Sequence, residues 1–235
     1  MAIAIKLTVL IPCYNEEEGL KGVIDEINKV LSDFPAAYEI LVVDDCSTDR
    51  SKEIAQSCGV RVISHPQRLG SGAARKNGIN QSRGEIIATL DADASYDPSE
   101  LPRMLKMMDS YDQVNGLRKC EQGDLKPLRT LVKNTVKSIV RLICGATIPD
   151  LNTGFKVFRK ADMLPYLNEI PDGFSCVTTM TMLYLAHGKR LKYHPVNYRP
   201  RKGRAKFRPL ADGWAFFTTA VKTAFLVRKT NRDPW

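Results

Sequence analysis

Short apolar runs alternate with helical patterns through the first half of this 235-residue chain. The runs at Lys6 to Pro12, Tyr38 to Val43 and Val60 to Ser64, and the one that ends at Asp91, have the length of buried strands. Strands and helices that alternate at this spacing predict an α/β fold with a doubly wound, mostly parallel sheet flanked by helices. No linker divides the sequence, so we expect residues 1–235 to form a single domain. The helical segments are Glu16 to Phe34, Ser51 to Cys58, Gly72 to Gln81 and, in the second half, Cys176 to Ala186.

Two carboxylates separated by one small residue follow the strand that begins at Ile86. If strand geometry persists to Asp93, Asp91 and Asp93 lie on one face. They would then lie at the carboxyl end of a strand, where open α/β sheets place their ligands. Hard oxygen ligands at that point suit Mg2+ or Mn2+ shared with a phosphate. The alternative is that the pair only solvates the end of the strand.

Polar clusters also follow the first two predicted strands, at Pro12 to Glu16 and at Asp44-Asp45. Adjacent parallel strands would bring these turns and Asp91 to one edge of the sheet, which is a natural nucleotide crevice. Tyr14 could contact a base, and a carboxylate could accept a hydrogen bond from a base N–H or a ribose hydroxyl. Asn15-Glu16 could instead cap the next helix. The two adjacent aspartates repel each other and are harder to explain structurally.

Charge and cysteine content narrow the class of partner and the compartment. The formal net charge of +9 favours anionic partners, namely nucleotide phosphates, nucleic acid or an acidic membrane surface. The six cysteines lie far apart without a CxxC pair, so we expect reduced thiols in the cytoplasm. No secretory signal and no apolar run of about 18 residues is evident, so we expect no membrane-spanning segment.

The ordered motifs of the chain resemble the inverting family-two glycosyltransferases with a GT-A fold. The resemblance is strongest to the branch that transfers a sugar from a nucleotide-sugar to a polyprenyl phosphate, which includes the dolichol-phosphate mannose synthases. Each motif is weak alone, but their joint order and spacing are specific. The motifs are Ile11 to Glu16, Val42 to Asp49, Leu69 to Arg75, Asp91 to Asp93, Gly116 to Arg118, Asp150 to Phe155 and Gly203 to Phe207.

This resemblance implies a nucleotide-sugar site with three parts: a base and ribose pocket, a site for Mg2+ or Mn2+, and a cationic phosphate site. Asp91, Asp93 and Arg118 would be catalytic, because a departing diphosphate develops negative charge that a metal and cations stabilise. The base and ribose pocket would consist of Pro12, Tyr14, Glu16, Val43 and Asp45. Asp91, Ala92 and Asp93 would lie against ribose, diphosphate and metal, with Asp93 and Asp91 as metal ligands and Ser95 as a weaker one. The cationic phosphate site would consist of Arg118, Arg201 and Lys206.

The implied acceptor is a dolichyl or undecaprenyl phosphate. Such a phosphate is anionic near neutral pH and can attack the anomeric carbon without a dedicated general base. Arg129 and Lys133 lie one turn apart on a helix predicted from Lys126 to Cys144, and we expect them to receive this phosphate beside Arg118. The basic face of that helix could rest in a membrane interface.

The resemblance also implies an internal division and a location. Residues 1–118 would form a nucleotide-binding half, and residues 119–235 an acceptor-binding half with membrane-facing basic helices. The protein would be cytoplasmic and peripheral at the inner face of the membrane. The loop from Arg199 to Arg208 carries so many like charges that we expect it to be mobile and to close over the donor.

Two alternative functions remain open at this point. The same fold could act on a glycan or another non-lipid acceptor, although the Gln-x-x-Arg-Trp motif and the Glu-Asp pair of processive synthases are absent. The chain could instead be a binding module for a nucleotide-sugar or for nucleic acid. A nucleotide-sugar sensor would be expected to lack Asp91 and Asp93, and a nucleic-acid binder would be expected to have aromatic residues interleaved with cationic ones. We therefore expect an enzyme that uses a GDP- or UDP-linked sugar and a polyprenyl phosphate, and no nucleic acid.

Overall fold

The computed structural model describes residues 4–118, 148–150, 152–204, 218–219 and 222–223. The predicted helix from Lys126 to Cys144, with Arg129 and Lys133, lies outside these residues, and so does Lys206. The strands are β1 Ile5–Cys13, β2 Ala37–Asp44, β3 Arg61–Ser64, β4 Ile86–Thr89, β5 Gln113–Arg118, β6 Lys156–Arg159 and β7 Leu191–Val196. The helices are α1 Leu20–Val30, α2 Ser51–Ser57, α3 Ser71–Gln81, α4 Leu101–Met107, α5 Lys160–Met163 and α6 Cys176–Ala186, with 3-10 turns at Pro98–Glu100 and Leu164–Glu169.

These strands form one seven-stranded sheet in the order β3-β2-β1-β4-β6-β5-β7. The neighbouring pairs from β3 to β4 are parallel, β6 is antiparallel to both β4 and β5, and β5 pairs with β7 in parallel. The predicted doubly wound, mostly parallel sheet is confirmed. Because β1, β2 and β4 run in the same direction, their carboxyl ends meet at one edge.

Two apolar layers cover the two faces of the sheet. Successive β1 side chains alternate between them: Val9 and Ile11 pack in one layer and Leu10 in the other. The first layer includes the face of α1 that buries Leu20, Val23, Ile24 and Ile27, at the spacing of an amphipathic helix. The second layer is closed by α3 and α6. In the part of the chain that the structure describes, no helix is long and apolar enough to cross a membrane.

Besides helix α1, which spans Leu20–Val30 instead of the predicted Glu16 to Phe34, the structure corrects two sequence-based expectations. First, β4 ends at Thr89, so strand geometry does not persist to Asp93 and alternation along a strand cannot explain how the two aspartates are placed. Second, β6 was not predicted. It is only four residues long and contains Lys156, which is fully buried, so its pattern does not read as a strand.

Candidate active site

The turns that follow β1, β2 and β4 share an unusual backbone. Asn15, Cys46 and Ala94 have φ angles of 53°, 63° and 60°, and they are the only non-glycine residues with positive φ in the described chain. Such conformations cost on the order of 1–3 kcal/mol each and tend to cluster at functional sites. All three lie in the turns at the carboxyl edge of the sheet, beside the carboxylates that the sequence analysis selected.

Asp45 anchors the segment that follows β3. Its Oδ1 accepts from the Leu69 N–H at 2.8 Å and lies 2.8 Å from His65 Nδ1, and its Oδ2 accepts from the Gly70 N–H at 2.8 Å. Asn77 Nδ2 lies 3.0 Å from His65 Nε2, so a neutral imidazole with its proton on Nδ1 satisfies both contacts. Asp45 is 3% exposed. Its carboxylate therefore has little accepting capacity left for a ligand.

Of the other residues predicted to bind the nucleotide-sugar, only some have accessible side chains. Tyr14 is half-buried, and the guanidinium of Arg68 stacks 4.1 Å above its ring. Pro12 is half-buried and pairs in register with Val43. The side chains of Val43 and Ala92 pack in the apolar layers, so these two residues can meet a nucleotide only through their backbone.

Asp91 is held by a buried arginine. Arg75 Nη2 donates to Asp91 Oδ1 at 2.6 Å, and Arg75 is 3% exposed. A Cβ on Gly154 would lie 2.3 Å from Asp91 Oδ2, so the opposite side of the carboxylate packs tightly on backbone. Desolvation raises the pKa of Asp91, Arg75 opposes this, and Asp93 adds to it. About a third of the Asp91 side chain remains exposed, so this fixed carboxylate is still accessible to a ligand.

Asp93 is oriented by the turn that follows it. Its Oδ1 accepts from the backbone N–H of Ser95 at 3.0 Å and from the Ser95 hydroxyl at 2.6 Å. Ser95 is 1% exposed. This geometry suits a residue that positions Asp93 rather than a third metal ligand.

A segment from the far end of the chain packs over this turn. We call residues 197–202 the strap. Its backbone is bonded to the aspartate turn: the Arg199 N–H donates to the Ser95 carbonyl at 2.7 Å and the Lys202 N–H to the Asp93 carbonyl at 2.9 Å. The side chain of Arg201 lies between Glu16 and Asp93, with Nη2 2.9 Å from Glu16 Oε1 and Nη1 3.5 Å from Asp93 Oδ2. The structure thus brings together three residues that the sequence analysis assigned to different parts of the site.

Arg118 ends β5 with its guanidinium fixed by Asp150. Its Nε and Nη2 donate to the two Asp150 oxygens, each at 2.7 Å, in a bidentate pair. Burial raises the pKa of Asp150, but the hydrogen bonds and charge of Arg118 outweigh it and leave that pKa below its ordinary value. The ring of Tyr198, in the strap, lies 5.2 Å from the guanidinium. Arg118 is therefore a preformed cation at the same edge of the sheet as the aspartates, because β5 runs in the same direction as β4.

Comparison with known proteins now identifies the family. Residues 8–181 match the family described as Glycosyl transferase family 2. The chain belongs to glycosyl transferase family 2. The resemblance found in the sequence is confirmed.

Its relatives include enzymes named for lipid-phosphate acceptors. The low-salt glycan biosynthesis hexosyltransferase Agl6 of Haloferax volcanii is 34% identical over 90% of this chain and 52% of its own length. A dolichyl-phosphate hexose transferase of the same organism is 28% identical over 92% of both chains. An undecaprenyl-phosphate 4-deoxy-4-formamido-L-arabinose transferase of Yersinia pestis is 30% identical over 66% of this chain and 49% of its own. The chain spans about half the length of the first and third of these relatives.

Solved structures share the fold at lower identity. Glucosyl-3-phosphoglycerate synthase from Mycobacterium tuberculosis, in complex with phosphoglyceric acid, superposes with a TM-score of 0.77 and 18% identity, over 94% of this chain and 80% of the synthase. The same enzyme with Mn2+, UDP and glucosyl-3-phosphoglycerate gives a TM-score of 0.76. This likeness confirms the predicted GT-A-type fold.

The side chains of this family-two site fit a divalent cation that takes some of its ligands from the protein and the others from a substrate. Among the described residues, no group of three His, Cys, Asp or Glu side chains could hold a metal on its own. Two carboxylates, Asp91 and Asp93, stand at the same edge. One or two carboxylates completed by substrate phosphates is the usual donor set for Mg2+, and Mn2+ accepts the same oxygen ligands.

Sequence reasoning missed two residues that shape this site. Arg75 and Asp150 lie within motifs of the sequence that do not reveal their roles. In the structure, Arg75 holds Asp91 and Asp150 fixes Arg118. The available signal for Arg75 was its position near the start of a helix that follows a glycine-rich turn. The partner of Arg75, Asp91, lies 16 residues away, and the pair could not be predicted from the sequence.

Proposed function

We propose that this family-two protein is a metal-dependent inverting glycosyltransferase that moves a sugar from a nucleotide-sugar to a polyprenyl phosphate. The observation that carries the proposal is that Asp91, Asp93 and Arg118 lie at the carboxyl ends of β4 and β5, which run in the same direction, and that each is held by a partner side chain. Carboxylates that hold a divalent metal can stabilise a departing diphosphate through that metal, and a fixed cation can bind an anionic acceptor. The names of the dolichyl-phosphate and undecaprenyl-phosphate relatives support this acceptor class.

The residues of this chain have distinct roles in the transfer. Asp91 and Asp93 would hold Mg2+ or Mn2+, which supplies Lewis-acid stabilisation to the diphosphate. Arg201 and Lys206 bind phosphate oxygens of the donor. Arg118, oriented by Asp150 and helped by Arg129 and Lys133, binds the acceptor phosphate. An acceptor oxygen then bonds to the anomeric carbon from the face opposite the diphosphate, whose bond to that carbon breaks; because the acceptor is already anionic, no base is required.

We further propose that the donor carries uridine rather than guanosine. A carboxylate has about four acceptor sites, and Asp45 already accepts three hydrogen bonds, two of them at Oδ1. The Watson–Crick edge of guanine presents two donors side by side, whereas that of uracil presents one N–H. If Asp45 contacts the base, it can therefore serve uracil but not both guanine donors.

Location follows from the acceptor. A polyprenyl phosphate resides in a membrane, so we propose a peripheral position at the inner face, with the basic residues predicted around Arg129 and Lys133 toward anionic headgroups.

One assay tests the proposal. The purified chain is incubated with Mn2+, undecaprenyl or dolichyl phosphate, and a panel of UDP- and GDP-linked hexoses, and the lipid product is examined by mass spectrometry and by NMR of its anomeric proton. We expect a glycosylated lipid phosphate of inverted configuration from a UDP-linked donor. Transfer to a soluble glycan with none to the lipid would support the alternative acceptor class, and nucleotide binding with no transfer to any acceptor would support a binding module.

A further inference from the structure

Arg201 makes two unequal ion pairs in the cleft. Its Nη2 lies 2.9 and 3.2 Å from the two oxygens of Glu16, whereas its Nη1 lies 3.5 Å from Asp93 Oδ2. The side chains of Glu16 and Asp93 are only 11% and 12% exposed, so water screens these charges weakly. The contact with Asp93 is the longer and weaker of the two. Glu16 therefore anchors the guanidinium, and Asp93 receives it as a second partner.

The backbone around Arg201 is already fastened to the aspartate turn. Arg199 and Lys202, on either side of it, donate backbone hydrogen bonds to Ser95 and Asp93 at 2.7 and 2.9 Å. The strap therefore does not need to close in order to bring Arg201 into the site. Only the outer part of the side chain can readily change partner, and its Nε is buried with no hydrogen-bond partner among the described residues.

We infer that Arg201 acts as the resident cation of Asp93 before the donor binds, and that the donor diphosphate then draws its guanidinium away as the divalent metal arrives. The inference rests on the proposed function. A divalent ion and a guanidinium repel each other when both face one carboxylate. A diphosphate supplies the negative charge that allows both to stay, with the metal on Asp93 and Arg201 on the phosphate.

This exchange assigns a new role to Glu16. The resemblance placed Glu16 at the base and ribose, but both of its carboxylate oxygens contact Arg201. Glu16 is a positioning residue that keeps Arg201 within reach of Asp93 and of the diphosphate. The consequence is energetic coupling between the two ligands. The metal binds weakly to the nucleotide-free protein and much more tightly when UDP is present, and the affinity for UDP rises by the same factor when the metal is present.

Binding of Mn2+ measured by the electron paramagnetic resonance of the free ion, with and without UDP, tests this inference without reference to activity. In Arg201→Met, we expect Mn2+ to bind the nucleotide-free protein about tenfold or more tighter than in the wild type, because a competing positive charge is gone. The enhancement of Mn2+ affinity by UDP should shrink in the same variant. Arg201→Lys, which retains the charge, should stay closer to the wild type.

Arg199 offers a matched control. It lies in the same strap, but its guanidinium pairs with Glu26 at 2.8 Å and with Asp97 at 2.9 Å, not with Asp93. Arg199→Met should therefore leave the nucleotide-free Mn2+ affinity unchanged. If the methionine variant of Arg201 fails to fold, Arg201→Gln supplies a second neutral side chain.

The outcomes separate this inference from the proposed function. If the wild type binds Mn2+ with UDP but Arg201→Met leaves the nucleotide-free affinity unchanged or weaker, the exchange is wrong and the proposed function stands. The same holds if Arg199→Met changes that affinity as much as Arg201→Met does. If the wild type binds no Mn2+ even with saturating UDP, the metal-dependent function fails, and the exchange fails with it.

Discussion

At the scale of single residues, the position of Asp91 depends on close packing from two sides. Arg75 holds one oxygen, and Gly154 leaves no space beyond the other. Gly154→Ala would place a methyl group 2.3 Å from Asp91 Oδ2 and force that carboxylate away from Arg75. We expect a loss of about 1–3 kcal/mol in the free energy of unfolding, as is typical of overpacking, and a fall in sugar transfer of at least about tenfold.

Gly22→Ala is the control for this prediction. A Cβ at Gly22, in helix α1, meets nothing within 4 Å. That variant should keep full transfer activity and gain up to about 1 kcal/mol of stability from better helix propensity. Denaturant unfolding and transfer rates of both variants check the prediction; equal activity in the two would show that the packing on Asp91 does not matter.

Sequence reasoning found the site carboxylates but not the groups that hold them. Asp91, Asp93 and Asp45 follow strands whose carboxyl ends were expected to meet, so their convergence could be predicted. The partners of Arg118 and Arg201 lie 32 and 185 residues away along the chain. Such charge pairs are set by tertiary packing, which no local pattern reports.

At the scale of elements, the positive charges of the strap are compensated by neighbouring carboxylates. Arg199 and Arg201 do not repel each other into solvent, because Glu26, Asp97, Glu16 and Asp93 supply four carboxylates to them. Residues 205–208 of the predicted lid lie outside the described chain. These ion pairs compensate the charges of Arg199 and Arg201, and the mobility of the loop stays a prediction.

Hydrogen exchange tests the attachment of the strap directly. The amides of Arg199 and Lys202 should be protected in the ligand-free protein, because both donate to the aspartate turn. Tyr198→Ala removes a ring that packs 5.1 Å from Tyr96, so it should speed exchange of both amides about tenfold. Fast exchange in the wild type that slows only with nucleotide-sugar and metal would restore the lid.

Most elements of the first half were predictable from their apolar pattern. Strands β1, β2 and β3 and helices α2, α3 and α6 lie within one or two residues of their predicted bounds. Strand β6 was not predicted because one of its four residues, the buried Lys156, interrupts the apolar pattern. The strand leading to Asp91 was predicted too long, because the polar residues after its end continue the alternating pattern of the sequence. In the structure the strand ends at Thr89.

At the scale of the whole molecule, Lys156 links stability to pH. It is fully buried between β6 and α6, and its Nζ contacts two neutral acceptors, Thr181 Oγ1 at 2.7 Å and Asn115 Oδ1 at 3.2 Å. Burial lowers the pKa of Lys156 to about 7. The unfolded chain keeps this lysine protonated until about pH 10, so between these values the unfolded state binds more protons than the folded one. The free energy of unfolding should therefore rise with pH, by up to about 1.4 kcal/mol per unit from this group.

Urea unfolding of the wild type and of Lys156→Met at pH 7, 8 and 9 checks this contribution. Other groups titrate in the same range, but they do so in both proteins, so the difference between the two slopes isolates Lys156. The wild type should gain stability relative to the variant as the pH rises. Parallel pH profiles would show that Lys156 stays charged in the folded protein.

The central claim is that the edge holding Asp91 and Asp93 performs sugar transfer, and one comparison tests it most directly. Rates of transfer from the preferred UDP-linked sugar to a polyprenyl phosphate are measured for the wild type, Asp93→Asn and Asp172→Asn, with melting curves to confirm folding. Asp172 is an exposed aspartate paired with Lys76, so its variant should keep the wild-type rate. We predict that the transfer rate of Asp93→Asn falls by about a hundredfold or more, because the variant loses a carboxylate charge that would hold the metal at the diphosphate. A folded Asp93→Asn that transfers sugar at the wild-type rate would contradict the account.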